Sequence, residues 1–392
     1  MQLDNNRAFS AGETFSRVSP FLARLGITRL ARQTDLDDIG IAVWCAYAPN
    51  AKAIVIAQGK GIDDAAAKTS AAMEAIERSV ATNPACTVRV TSRLALERDG
   101  QQVDTLDCLL SPHSKAVLPA EDIGWVRATH LLSTHPLWVP YDAIHLDRTI
   151  SSPRYWQSSD GLASGNTRDE AVLHGLLERV ERDALTLWQV TPAARRYRSA
   201  IDTKSITEPA LCDALDRIER AGLDITLFDI TTDLAIPCIV ALLGPKDRTH
   251  PDAIRHVDIT MGAGASTQPA IAAMRAITEA AQSRMTFIAG ARDDLLPGIF
   301  SQSADRATVE AMNSPASRTL ADLPALDSPS TSRALANVLA TLEDGGIHDL
   351  FAVDLAPDWL PACVVKIIAP QLENPEGERH SRYGSRAMSR AL

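Results

Sequence analysis

The chain has 392 residues, of which 45% are hydrophobic and 22% charged, and it carries a formal charge of −10. That apolar fraction supports a buried core, and the length implies two or three sub-domains or one large intertwined unit. The negative charge argues against a general binder of nucleic acid or anionic membrane.

The N-terminus, M-Q-L-D-N-N-R-A-F, lacks the basic and apolar regions of a signal peptide. The stretch Arg24–Ala48, "RLGITRLARQTDLDDIGIAVWCAYA", reads as helix end, strand, turn and strand. It leads through "QGKG" (58–61), read as a glycine turn, into a helix, "DDAAAKTSAAMEAIERSVA". Pro136–Asp147, "PLWVPYDAIHLD", reads as the strand that enters a second turn and helix, "SDGLASGNTRDEAVLHGLLERVERDA" (159–184). Arg220–Gly244 repeats the first pattern and leads through "MGAG" into a third helix, "STQPAIAAMRAITEAAQSRM". The Ser-, Pro- and Asp-rich run 289–332 is expected to be a surface loop or lid. Asp344–Pro370 is a further helix–strand–turn–strand unit, followed by a polar, loosely ordered tail.

These repeats predict an α/β (α+β) fold of helix–strand–strand–helix units. The expected divisions are an N-terminal part (1–60), a core holding all three long helices (61–288), the loop or lid (289–332), and a C-terminal unit with its tail (333–392). No apolar run reaches the roughly 18 residues of a membrane span, so a cytoplasmic location is expected, without nucleic-acid or membrane partners. The six cysteines are scattered and contain no C-x-x-C pair, which argues against structural zinc and a disulfide framework. Cys45, Cys238 and Cys363, each beside a predicted strand, read as buried structural thiols.

Helical periodicity gives each long helix an apolar stripe: Met73, Ile76 and Val80; Leu173, Leu176, Leu177 and Val180; Met274, Ile277, Ala281 and Met285. Beside each stripe, at one angular offset, lies a polar trio: Ser70, Glu74 and Glu77; His174, Glu178 and Glu181; Arg275, Glu279 and Gln282. A solvated face is the ordinary meaning of one E-x-x-E. Three matched faces with acids side by side differ, because neighbouring carboxylates repel unless a cation lies between them. Oxygen donors without cysteine or a histidine cluster suit Mg²⁺, which favours carboxylates plus phosphate oxygens and points to ATP as the polyphosphate. Gly59-Lys60-Gly61 would let backbone amides approach an anion, with Lys60 as a point charge; it is not a P-loop. His174 is read as a helix-face residue without a catalytic role.

"SAAMEAIER" (70–78), "SDGLASGNTRDEAVLHGLLERVERDA" and "RAITEAAQSR" (275–284) resemble the three nucleotide-binding motifs of the YcaO family, over nearly the whole chain. The resemblance implies a YcaO-type fold that binds ATP and Mg²⁺, with metal or phosphate ligation by Glu74, Glu77, Glu170, Glu178, Glu181 and Glu279. It implies nucleotide contacts from Asn166, Arg182, Arg275 and Gln282, with Ser70 beside them, and, on spacing alone, from Arg7 and Thr14. Glu178, Glu181 and Arg182 are the residues it marks as catalytic. Asp160 stands where many members have Asn.

Such enzymes activate a peptide backbone amide: a nucleophile adds to the carbonyl, the oxygen is phosphorylated, and phosphate leaves. A side-chain Cys, Ser or Thr as nucleophile gives an azoline, and external sulfide gives a thioamide. The ending "SRAMSRAL" lacks the Pro-rich tail common among heterocycle formers, and no peptide-capturing module is recognisable. With Gly26–Lys52 and "GARDDL" (290–295), the chain looks more like the TfuA-associated members. The resemblance therefore implies a peptide or protein substrate, a TfuA-like partner and a sulfide source, with azoline formation or an ATP-binding accessory role as alternatives. A homodimer is compatible with the sequence.

Overall fold

The computed structural model describes residues 7–290, 292, 295–374 and 383–391. Ala291, Asp293 and Asp294 of the G-A-R-D-D-L segment and residues 375–382 of the polar tail lie outside them.

Helix α1 (Ala11–Val18) starts at Ser10, whose hydroxyl is in a reciprocal capping box with Glu13. Strands β1 (Arg29–Arg32), β2 (Ala42–Tyr47) and β3 (Ile56–Gly61) pair in that order and antiparallel, and β3 runs into helix α2 (Asp64–Thr82). Asp63 caps α2 by accepting from the Ala66 amide. Next come β4 (Arg89–Ser92), α3 (Arg93–Arg98), β5 (Asp122–His130), β6 (Pro136–Pro140) and β7 (Leu162–Gly165). β7 feeds α4 (Arg168–Val190), capped by Thr167. Then α5 (Ala193–Arg196), β8 (Ala200–Ile201), α6 (Pro209–Arg220), β9 (Leu223–Asp229), β10 (Cys238–Pro245) and β11 (Thr260–Ala265) lead to α7 (Pro269–Ala289). Helices α8 (Arg306–Ala311) and α9 (Thr331–Asp344), strands β12 (Phe351–Asp354) and β13 (Cys363–Ile368), and α10 (Ser385–Ala391) complete the described chain.

The strands form sheets of order β1-β2-β3, β11-β10-β9-β8 and β4-β5-β12-β13-β7, with β6 added to β5. Within them one unit recurs: three antiparallel strands, the last running into a long helix. β1-β2-β3-α2 is one copy and β9-β10-β11-α7 another. The remaining copy is β12-β13 closed by β7, a strand from far upstream that carries α4.

This arrangement corrects the sequence reading in two places. The strand entering α4 is β7, not Pro136–Asp147, of which only Pro136–Pro140 is strand and pairs with β5. "QGKG" and "MGAG" are likewise strand residues rather than turns, paired along β2 and β10. Their glycines serve close packing: a β-carbon at Gly59 would strike Ala71 N and Ala67 O, and one at Gly264 would strike Ala272 O and Ala276 N. Strand and helix touch backbone to backbone there, which only glycine permits.

Each predicted apolar stripe fills a core of its own. Met73, Ile76 and Val80 join the first cluster, Leu176, Leu177 and Val180 the second, and Met274, Ile277 and Ala281 the third. Burying a side chain of this size stabilises by about 1.5–3 kcal/mol, so the stripes fix which face each helix turns away from the core. The long helices also pack around a ring, α2 beside β7, α4 beside β11, and α7 beside β3.

The stretch between α7 and α9 is anchored where it is described. Val309, Ala311, Met312 and Leu323 are buried, and Ser317 N and Arg318 N both donate to Ala200 O. The end of the polar tail is docked too, contrary to the loose ordering expected of it. Arg386 pairs with the fully buried Asp183 on α4 and with Asp233, both at 2.8–2.9 Å.

Candidate active site

The polar trios of the three helices face one another where the ring closes, and a hydrogen bond to a carboxylate crosses each seam. Ser164 Oγ on β7 donates to Glu77 Oε1 on α2 at 2.6 Å. Ala265 N at the end of β11 donates to Glu181 Oε2 on α4 at 3.0 Å. Lys60 Nζ on β3 donates to Glu279 Oε2 on α7. Each strand that feeds one helix therefore holds a carboxylate of the next.

The carboxylates are recessed without being shut off; Glu178 and Glu279 keep 21% and 32% of their side-chain surface. Their surroundings split their proton affinities. Burial pushes Glu77 up to about 8, against the Ser164 hydrogen bond and with help from Glu74 and Glu178. Burial does the same to Glu178, also to about 8, with Arg182 opposing and Asp160 and Glu181 adding repulsion. Glu181 is raised by burial and then by Glu279. Burial also acts on Glu279, but Lys60, Arg182 and Arg275 outweigh it and hold that carboxyl below its ordinary value.

An N-terminal arm closes one side. Ala8 N donates to Glu170 Oε1 at 2.5 Å, and Asn166 donates to Glu170 Oε2 from its backbone (2.9 Å) and side chain (3.1 Å). Thr14 Oγ1 donates to Asn166 Oδ1 at 3.0 Å, and the Arg7 guanidinium faces Glu170, Arg275 and Glu77. Glu170 is therefore near the cluster while already holding the arm. Glu74 pairs with Arg78 at 2.5 Å, and Glu178 with Arg182 at 3.8 Å. For Ser70 and Gln282 the structure supplies position alone, one turn before Glu74 and one turn after Glu279.

Sequence reasoning passed over three participants. Arg78, the last residue of the A-I-E-R run, had a readable signal in its four-residue spacing from Glu74. Ser164 had none, since a serine in a Gly-Ala stretch carries no pattern. Lys366 Nζ donates to Ser158 O at 2.8 Å and Asp160 O at 2.5 Å, and its charge reaches Glu178. Asp160 itself is the counter-ion of buried Arg179 and accepts from Asn374 Nδ2 at 2.5 Å, which gives the Asn-to-Asp departure a place in the fold. The phosphate-turn reading of Gly59–Gly61 does not hold, as these residues lie in β3 and Lys60 meets Glu279. His174 is drawn into the site. Burial, Arg275 and Arg7 push its imidazole down to about 3, so it is neutral, and its Nδ1 is buried without a hydrogen-bond partner among the described residues. Cys45 and Cys238 are buried as expected, whereas Cys363 is only half-buried.

The donor set fits a divalent cation with a polyphosphate. It offers hard carboxylate oxygens, those of Glu77, Glu178 and Glu181 with ionisation opposed by burial, with Arg7, Arg182 and Arg275 nearby and Arg275 Nε buried and unpartnered among the described residues. Among those residues no three His, Cys, Asp or Glu side chains converge on one ion position. Mg²⁺ takes one or two carboxylates and completes its octahedron with phosphate oxygens and water.

Fold and site together define a protein of three matched strand–helix units with recessed carboxylates and arginines between them. The family model for the YcaO cyclodehydratase, ATP- and Mg²⁺-binding, matches residues 58–373, and the chain belongs to that family. It is 36% identical to an uncharacterized protein in the tfuA 3′ region of Rhizobium leguminosarum bv. trifolii, over 98% of this chain and 93% of that one. An uncharacterized protein of Methanothermobacter thermautotrophicus is 31% identical over 94% of this chain and 95% of its own length. Two solved structures share the fold. YcaO from Methanopyrus kandleri, bound with AMPPCP and Mg²⁺, has a TM-score of 0.73 at 21% identity, covering 96% and 97% of the two chains. A heterocyclase in complex with substrate and cofactor has a TM-score of 0.77 at 20% identity; 95% of this chain covers 54% of it, so this chain spans about half its length. ATP and Mg²⁺, expected from the carboxylate faces, are the ligands of the family. Among the described residues no helix is long and apolar enough to cross a membrane.

Proposed function

We propose that this protein uses Mg²⁺ and ATP to activate a backbone amide oxygen of a ribosomally made peptide or protein, and that external sulfide then converts the amide to a thioamide. The observation that carries the ATP-dependent part is the ring of seam bonds, which ties one carboxylate of each long helix, Glu77, Glu181 and Glu279, to the strand of a neighbouring unit. The sulfide outcome is supported by the 36% identity, over almost the whole chain, to a protein from a tfuA 3′ region. A TfuA-like partner and a sulfide source belong to this reading.

Bound Mg·ATP would supply the phosphoryl group that turns the amide oxygen into a leaving phosphate, with the metal offsetting its charge. Glu74, Glu77, Glu178, Glu181 and Glu279 would be shared among several Mg²⁺ ions, one or two carboxylates to each, with Glu170 ordering the arm and Asn166 beside them. Arg182 and Arg275 would neutralise charge developing on the transferred group. Arg7 and Thr14 would close the arm over the nucleotide, and Ser70 and Gln282 would complete the rim. For the reaction to balance, sulfide adds to the carbonyl carbon, the carbonyl oxygen departs as phosphate, and ADP is released.

The test incubates a candidate peptide with this protein, a TfuA-like protein, Mg·ATP and sulfide, and reads its mass. A gain matching exchange of one oxygen for one sulfur is expected. Loss of one water would replace thioamidation by azoline formation, and an unchanged peptide would favour an accessory role. Glu178→Ala and Glu181→Ala are expected to abolish Mg·ATP turnover while keeping the wild-type circular dichroism spectrum. Unchanged ATP hydrolysis in both variants would remove these residues from the metal site.

A further inference from the structure

Among the three seam bonds, the donor to Glu77 is a hydroxyl and the donor to Glu181 a backbone amide, whereas the donor to Glu279 is an ammonium. Lys60 is held there by its strand: β3 pairs with β2 along its length and its glycines press on α2, so the lysine stem leaves the sheet toward α7. Both partners are recessed, with 23% and 32% of their side-chain surfaces exposed. The Lys60 charge also acts on Glu181 and His174. Lys60 is therefore an internal cation where two carboxylates from different helices approach each other.

A divalent ion at Glu279 cannot share that carboxylate with an ammonium at contact distance without strong repulsion. That repulsion favours a move of Lys60, and the lysine stem gives the ammonium freedom to move while its backbone stays paired. The nearest new partner would be the negative charge of the polyphosphate that arrives with the metal.

We propose that Lys60 changes partner during loading: it neutralises Glu279 in the metal-free protein and contacts a phosphate oxygen of the nucleotide once Mg²⁺ takes that carboxylate. This role rests on the ATP reading above and adds to it a residue that serves both states.

The two states make opposite demands on one substitution. Lys60→Met removes the competitor, so the midpoint for Mg²⁺ alone, read by thermal shift, is expected to fall at least ~3-fold. The same variant loses a charge-assisted contact to phosphate, so its affinity for AMPPCP at saturating Mg²⁺, read by calorimetry, is expected to weaken ~10-fold or more. Lys60→Arg should keep AMPPCP affinity within ~3-fold of wild type, since it keeps a cation of similar reach. Lys60→Gln, whose amide can still donate to Glu279, serves if the Met variant does not fold, and the same two shifts are expected of it. Unchanged AMPPCP affinity in the neutral variants would overturn the exchange, and so would a rise in the Mg²⁺ midpoint, which would make Lys60 an organiser of the metal ligand. Wild type is the control for the underlying reading: if it fails to bind Mg·AMPPCP, the ATP assignment falls; if it binds while the variants behave as wild type, only the exchange does.

Discussion

Glu77 and Glu178 concentrate the site's chemistry at the residue scale. Both carboxyls lie near 8, because burial and neighbouring acids oppose their ionisation. In the folded metal-free protein they therefore hold protons that the unfolded chain gives up near 4.5. Stability from this source is complete at acid pH, is lost as pH climbs from 4.5 toward about 8, and is level above that. Each unit corresponds to about 1.4 kcal/mol, so each carboxyl costs the fold on the order of 3 kcal/mol at neutral pH. A bound cation removes the repulsion and with it the slope. Melting temperatures across this range are expected to decline with pH in EDTA and to stay nearly flat with Mg·AMPPCP. Parallel slopes in the two series would mean that the cation does not sit among these carboxyls. The carboxylates were legible in the sequence because the spacing E-x-x-E recurs at one helical offset. Their seam partners were not, since Ser164 and Ala265 act through a hydroxyl and an amide that any sequence offers.

Elements were legible in proportion to their periodicity. The apolar stripes of α2, α4 and α7 repeat every three or four residues over long spans, and each found its own core. β7 was missed because its four residues, Leu-Ala-Ser-Gly, show neither alternation nor β-branching; what makes it a strand is its ladder with β13. The glycines of β3 were read as a turn because a glycine needed for close approach looks the same in sequence as one needed for a bend. The two roles predict different outcomes for Gly59→Ala. In a loop it would be tolerated, whereas in β3 the new methyl meets the α2 backbone at Ala71 and Ala67. Separating strand and helix should cost about 1–3 kcal/mol or more, and it should shift Glu74 and Glu77, which ride on α2. Gly12→Ala is the control. Nothing lies within 4 Å of its would-be β-carbon, and in α1 the change should be neutral or stabilise by up to about 1 kcal/mol. Urea denaturation midpoints that fall equally for the two variants would count against the packing role of Gly59.

At the scale of the whole molecule, the repeat closes into a ring only because the third unit borrows β7 from upstream, so the C-terminal strands β12 and β13 are needed to hold α4 in place. The chain then returns to α4 once more. Arg179 donates to Leu372 O and Glu373 O, Glu373 N donates to Asp183 Oδ1, and Arg386 pairs with Asp183 and Asp233. The sequence hid this strap, since an Arg-rich ending reads as solvated unless a buried acid waits for it. Asp183 is fully buried, and burial raises its carboxyl despite Arg386. Removing Arg386 leaves a buried charge without its main partner, a loss of about 3–5 kcal/mol at neutral pH. Asp183 can escape that cost by taking a proton, so the deficit of Arg386→Ala should be large at about pH 8 and much smaller at about pH 5. A defect of packing alone would be equal at both. The difference in unfolding free energy between variant and wild type, measured by urea titration at the two pH values, decides between them. Because α4 carries Glu178 and Glu181, the variant should also bind Mg·AMPPCP more weakly at the higher pH, which would tie Arg386 to the carboxylates farther up the same helix.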